Sequence, residues 1–391
     1  MTPDSELPVW ARADAFPAAG PGWGWVDRKG RRTGCSSFDE LAEAIIADAG
    51  ARVDLVWTPN APGLVLPEEV EELHPALREA RLRWAKWEIS EGKRQMLMFG
   101  IAVAVLAGFA GFNYEKIVSN GTIGLALILF MIFGFIPWYQ GRKRLRKAKI
   151  WAAGDMIATA PELRFEVWLS LQKSPFTRLM LGLMVLVGLV QIYVEHRAPG
   201  PFGVSVVAAG LTKHGGTTDG WRLLTAPFLH GHWLHWFMNA SALAYLGKRV
   251  ETFARWPHLV LCFLISAWIG GEASVRFVAT SSIGASGGLM GLLGFLLVFE
   301  TLHRPLVPQS ARRRLLAGVA LTALIGFVFR HFIDNAAHAG GLLAGMVYAA
   351  VIFPRSSSPH RPRTTSVDAI FGGAAVGLLV CAALYACVKM L

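Results

Sequence analysis

A serine and a histidine embedded in apolar sequence carry the chemistry this chain can perform. Ser286 sits in Gly284-Ala285-Ser286-Gly287-Gly288, and His338 in Asn335-Ala336-Ala337-His338-Ala339-Gly340-Gly341. A serine hydroxyl becomes a nucleophile toward a carbonyl when an adjacent base takes its proton. His235 and Asn239 are four residues apart, so on a helix they share one face. Together with the Ser286 N–H at a helix start, they can donate to an oxyanion, where each donor is worth on the order of 10²–10³ in rate. His230 is placed one turn earlier, at the outer end of the same predicted helix.

Serine and histidine on different helices form such a pair only if the helices touch. Gly287 and Gly291 make a small-xxx-small pattern, as do Gly341 and Gly345, and both allow close backbone approach. A membrane-crossing helix needs about 20 mainly apolar residues. Nine windows approach this: 96–114, 122–138, 176–196, 227–246, 259–278, 284–302, 315–329, 335–353 and 367–388. Several are short or carry polar residues, as expected where helices line a site instead of lipid. The last, with Gly372-Gly373-Ala374-Ala375, is expected to pack on the others.

Composition agrees with a membrane chain. Of 391 residues 53% are hydrophobic and 17% charged, against about 25% charged in soluble domains. The net charge of +11 sits in short clusters between apolar stretches, which argues for topology signals and against a nucleic-acid stripe. These clusters, at 142–147, 248–249, 312–314 and 355–363, fall on one side if all nine windows cross. The positive-inside rule makes that side cytoplasmic, with the amino terminus inside and the carboxyl terminus outside. The first residues carry neither a signal peptide nor the look of a transit peptide, which points to a bacterial inner membrane. Cys35, Cys262, Cys381 and Cys387 lack metal-ligand spacing and are read as free thiols, so no metal is expected.

Residues 1–92 mix charge, Pro, Gly and Trp and read as a small cytoplasmic α+β domain. Short strands are expected near 22–26 and 53–57, a helix from Ser37, and a charged helix over 69–93 leading into the membrane. A transmembrane hairpin with a basic flank follows over 93–150, then a core at 176–353 and an additional helix at 367–391.

Each polar feature has a plainer origin. A Gly-x-Ser-Gly run in a membrane helix serves packing, and a single histidine or a His/Asn pair serves as polar glue between helices. What sets the chemical reading apart is placement, because the predicted spans put all of them toward the outer side, at comparable depth, on three helices.

As a set, Trp221-Arg222-Leu223-Leu224-Thr225, then His230, His235 and Asn239, then Gly284-Ala285-Ser286-Gly287 and the helix around His338, resemble the rhomboid intramembrane serine proteases. The resemblance covers about 176–353 and implies an all-α six-helix core with a Ser286–His338 dyad and no third acid. It implies His235, Asn239 and the Ser286 N–H as oxyanion donors, with His230, Gly284 and Gly287 supporting the site. Trp221 and Arg222 would sit in a structural outer loop. The implied substrates are transmembrane helices cut near the outer face, with no cofactor and the lipid bilayer as setting. Two extra spans before the core, one after it and the leading domain depart from that pattern, and oligomeric state is not readable. Two other functions compete. A catalytically inactive relative that binds membrane helices would be expected to lose the nucleophile or base. A transporter would show inverted repeats, and none is visible.

Overall fold

In a computed structural model of the chain, residues 6–47, 53–60, 63–110, 126–127, 129–151, 153–197, 203–328 and 333–391 are described. The chain divides into two compact units, Trp10–Leu171 and Gln172–Leu391 with Met1–Val9.

In the first unit, β1 (Trp23–Asp27) is the centre of an antiparallel sheet ordered β2-β1-β3, flanked by β2 (Arg32–Cys35) and β3 (Val53–Trp57). The sequence predicts β1, β3 and the helix α1 (Phe38–Ala47), and it passes over β2, whose residues are mostly exposed and carry no alternation. The Ser37 hydroxyl accepts from the Glu40 N–H (3.2 Å), which starts α1. Leu41 and Ile45, one turn apart, then pack with Val56, Leu73 and Leu77 in one small core. The helix α2 (His74–Ala110) continues without a break through residue 92. A π-turn at Phe130–Phe135 leads into α3 (Ile136–Lys149), which runs back along α2. At Gly92 a Cβ would meet the Trp138 backbone nitrogen at 2.6 Å, and Glu88 pairs with Arg144 at 3.0 Å. Parts of the two predicted hairpin windows, 111–114, 122–125 and 128, lie outside the described residues. A further helix, α4 (Ala153–Leu171), was not anticipated, because its apolar stretch is interrupted by Asp155, Pro161 and Arg164.

The second unit is helical. It contains α5 (Pro175–Arg197), the short α6 (Val204–Ala209) and α7 (Arg222–Thr225), then α8 (Trp233–Ala254) and α9 (Trp256–Phe277). There follow α10 (Ser286–Leu302), α11 (Gln309–Val328), α12 (Asn335–Ile352) and α13 (Ser366–Met390). Five of the predicted spans are recovered within three residues at each end. The predicted window ending at 329 becomes α11, which begins six residues earlier, and Phe329 lies outside the described residues. The window at 227–246 needs correction. Ala226–Phe228 forms a 3₁₀ turn, and the helix begins at Trp233 and runs on to Ala254. His232 is the reason, since its ring nitrogen accepts from the Leu234 N–H (3.2 Å) and caps the helix there. His230 therefore precedes the helix instead of occupying its outer end.

Among the described residues five helical segments are long and apolar enough to span a bilayer, including α5, α9, α12 and α13. Backbone contact joins α9, α10 and α12. A Cβ on Gly341 would lie 2.0 Å from the Gly287 carbonyl oxygen, one on Gly345 would lie 1.9 Å from that of Gly291, and one on Gly270 would meet the Ala337 oxygen at 2.6 Å. The glycine spacing predicted such approach, and it is met on both helices. Arg249 of α8 and Glu300 of α10 are fully buried and form a bidentate pair at 2.5 and 2.9 Å. Glu251 accepts from the Phe176 and Thr177 N–H groups at the start of α5 (3.1 and 2.8 Å) and so anchors that loop. The helix α13 packs on the start of α9, where a Cβ on Gly372 would meet Pro257 Cβ at 2.7 Å.

Candidate active site

Ser286 is the first residue of α10, so its N–H belongs to the set that no intrahelical carbonyl satisfies. Two strand-like contacts hold the segment before it. Leu211 and Ser282 exchange both backbone hydrogen bonds (3.0 Å each), and the Gly284 N–H donates to the Ala226 carbonyl (3.0 Å). Gly284 has φ +121, a region closed to residues with a side chain, and it lies directly under the histidine of α8. A Cβ there would lie 2.7 Å from His235 Cε1, 2.9 Å from its Nε2 and 3.4 Å from Asn239 Nδ2. The absent side chain brings the His235 ring and the Asn239 amide against the backbone two residues before Ser286.

His230 supports Asn239. Its Nδ1 lies 3.2 Å from the Phe228 carbonyl, which can only accept, so Nδ1 carries the proton. Its Nε2 is then an acceptor and takes one amide hydrogen of Asn239 at 2.9 Å. The backbone of His230 is fixed in turn by Gln191, whose Oε1 accepts from the His230 N–H (3.0 Å) and whose Nε2 donates to its carbonyl (2.8 Å). The His230 and His235 rings meet edge to face with centroids 5.0 Å apart.

His338 is in the first turn of α12, and its N–H donates to the Asp334 carbonyl (3.1 Å). The Gly287–Gly341 contact sits one residue past Ser286 and three past His338, so both residues lie beside a close backbone approach of α10 and α12. Both are partly exposed, and among the described residues no hydrogen bond joins the Ser286 hydroxyl to the His338 ring. An open pair of this kind is common in free enzymes, where the bond tightens only around substrate.

The sequence reading missed Asp334. Its carboxylate caps α12 by accepting from the Ala337 N–H (2.9 Å), and it also accepts from the Ser282 hydroxyl (2.6 Å) and the Ser274 hydroxyl. The Lys213 ammonium donates to Ser274 (2.6 Å), Ser282 (2.9 Å) and the Thr280 carbonyl (2.6 Å), with Asp334 at 3.9 Å. Burial pushes the Lys213 ammonium below its ordinary range, and the Asp334 carboxylate opposes that as the smaller effect. A signal for Asp334 was present, an aspartate three residues before Ala337 at a helix start. Gln191 was equally visible as a lone amide in an apolar run. A cavity of about 40 Å³ lies among Gly284, Gly287, Ala337, Asp334, Ser274 and Ser282, and it is roomy and polar enough for water.

Arg222 donates to the carbonyls of Val207 (3.0 Å) and Gly210 (2.8 Å), which ties the loop between α6 and α7 together and matches the structural role expected of it.

Residues 217–355 match the family model described as the Rhomboid domain. The chain is 29% identical over 223 residues to Rhomboid protease GlpG of Yersinia pestis, covering 56% of this chain and 76% of the relative. It is 30% identical over 182 residues to Rhomboid protease GluP of Bacillus subtilis, covering 46% and 35%. It is 31% identical over 143 residues to RHOMBOID-like protein 4 of Arabidopsis thaliana, covering 36% of each. The chain thus spans about a third of the length of the last two. The matched segment contains Ser286, His338, His230, His235 and Asn239. The apolar helices and the domain match together make this a multi-pass membrane protein. With the spans, the glycine-mediated helix contacts and the matched segment in agreement, the chain carries a Rhomboid domain over residues 217–355.

Proposed function

We propose that this protein is an intramembrane serine endopeptidase that cuts transmembrane-helix substrates near the outer membrane face. The observation that carries the reading is the contact of Gly341 with the Gly287 carbonyl, which brings the helices of His338 and Ser286 together beside the Gly284–His235–Asn239 cluster. In the proposed reaction His338 takes the Ser286 proton as Oγ attacks the scissile carbonyl carbon. The resulting oxyanion accepts from the Ser286 N–H, the free Asn239 amide hydrogen and His235. His338 then returns the proton to the leaving amine, and a water drawn from the polar cavity repeats the sequence on the acyl-enzyme. His230 acts by holding Asn239, and Gly284 by leaving room for His235. None of these steps calls on a cofactor.

We further propose a cytoplasmic amino terminus in a bacterial inner membrane, and the basic clusters at 142–147, 248–249, 312–314 and 355–363 support that orientation. Cysteine-accessibility mapping at residues 30 and 391 tests that orientation, and equal labelling from outside at both would overturn it.

A second reading, a helix-binding protein without activity, is favoured by one observation, the missing hydrogen bond between Ser286 and His338. Fluorophosphonate labelling of the detergent-solubilised protein separates the two. Labelling that disappears in both Ser286→Ala and His338→Ala supports the protease. A folded sample that neither labels nor cuts a membrane-helix substrate supports the alternative.

A further inference from the structure

A second concavity lies far along the helices from Ser286, where four of them end. The segment before α5, the junction of α8 and α9, and the approach to α13 enclose a pocket of about 190 Å³, several times the space one water needs. Lys173, Arg255 and Arg361 line it, together with Thr252, Phe176 and Trp256. We propose that this pocket binds the phosphate group of an anionic lipid headgroup.

Its charge has no internal answer. Among the described residues Glu251 is the one acidic residue in the lining, and its carboxylate already accepts from Phe176 N–H, Thr177 N–H and the Thr177 hydroxyl. Among the described residues neither Arg255 nor Arg361 has a carboxylate partner, and Arg361 is held in place by donating to the Thr252 carbonyl (3.0 Å). Burial lowers the Arg361 guanidinium from its ordinary range, and the like charge of Arg255 lowers it further. Two cations held close together call for an anion between them.

Thr252 supplies the independent observation. It is 4% exposed, it lines the pocket, and among the described residues its buried hydroxyl has no hydrogen-bond partner. Buried hydroxyls are nearly always bonded, so an orphan at the wall of a cationic pocket marks a missing acceptor. The start of α9 adds two more features. Arg255 precedes the helix with φ +74, alone among the described non-glycine residues in that region, and it makes no side-chain cap. The start of α9, with Arg255 and Trp256 in the lining, brings the positive end of the helix dipole to the pocket.

The location selects a lipid over a free ion. α5, α9 and α13 are long enough to span a bilayer and all begin here, so the pocket lies at headgroup level. Trp256, stacked on Phe176 with centroids 4.3 Å apart, is the kind of residue that settles at that interface. Basic residues beside span ends also meet the anionic lipids of that leaflet.

The test measures the thermal unfolding midpoint of the full chain in neutral detergent micelles. Phosphatidylglycerol, phosphatidylcholine at equal mole fraction, and inorganic phosphate are titrated separately. The expected result is a saturable rise with phosphatidylglycerol alone. Binding should weaken by about tenfold in Arg361→Ala, a loss typical of one charge-assisted hydrogen bond. Thr252→Val, which keeps the shape and removes the hydroxyl, should also weaken it, while Arg313→Ala outside the pocket should not. An equal response to phosphatidylcholine, or a response to inorganic phosphate alone, overturns the lipid assignment. Unchanged binding in both Arg361→Ala and Thr252→Val, or no saturable response, overturns the site itself. The inference does not depend on the proteolytic reading.

Discussion

Adding one methyl group at Gly341 should separate the two helices that bear Ser286 and His338. A Cβ there would lie 2.0 Å from the Gly287 carbonyl oxygen and 2.8 Å from its carbon. Ordinary contact begins near 3.4 Å, so α10 and α12 must part by about 1.4 Å at the level of the site. The obstacle is backbone on both sides, so no rotamer change can absorb it. Overpacking of this kind typically costs about 1–3 kcal/mol, which should leave the protein folded. The effect on catalysis should be larger, since a misplacement of about 1 Å can cost on the order of 10² in rate. Gly341→Ala is therefore expected to reduce fluorophosphonate labelling and substrate cleavage by about 10²-fold while shifting the unfolding midpoint modestly. Gly373→Ala is the matched control, because nothing lies within 4 Å of a Cβ at that position. Full activity in Gly341→Ala would refute the idea that this glycine contact sets the catalytic spacing.

Further tests probe other parts of the molecule. Arg249→Ala strands the fully buried Glu300 carboxylate and should cost about 3–5 kcal/mol in denaturant unfolding, and a loss under about 1 kcal/mol would contradict that burial. Asp334→Ala removes the α12 cap and should cost about 0.5–2 kcal/mol, with Asp334→Asn recovering part of the loss; equal losses would mean the cap is not what Asp334 supplies. Because burial depresses the folded Lys213 value, the unfolded chain holds the extra proton between that value and about 10.4, and stability rises with pH there. Wild type should accordingly gain on Lys213→Met as pH climbs toward about 10 in thermal unfolding, and a loss would reverse the sign argued here. Gly284→Ala should abolish labelling, since a methyl would strike His235 and φ +121 excludes it, and retained labelling would show that the ring can move aside.

Much of the site was legible because its parts are local. The pairs Gly287/Gly291 and Gly341/Gly345 announce backbone contact by spacing alone, and the structure places them against each other. His235 and Asn239 share a helix face as their spacing requires, and both reach Gly284. His230 was misplaced because a histidine cap at His232 starts the helix late, and capping by histidine is not a strong sequence signal. Asp334, Lys213, Ser274 and Ser282 went unrecognised for a different reason. They come from four separate segments, each bland alone, and only the fold gathers them around one carboxylate. The helix α4 was hidden by charges that a soluble-facing helix tolerates and a membrane span would not.

The segment before Ser286 is pinned at Ser282 by Leu211, at Gly284 by Ala226, and from the side by Lys213. A loop tied at three points in five residues has little freedom to follow an incoming chain. A helical substrate keeps each carbonyl bonded to an N–H four residues on, so its scissile group arrives already occupied. On the proposed proteolytic reading, if Ser286 cannot travel, the work of deformation falls on the substrate, which must fray before it can react. Selectivity would then be written in the ease of unwinding a few residues of the substrate helix, more than in the side chains that flank the cut.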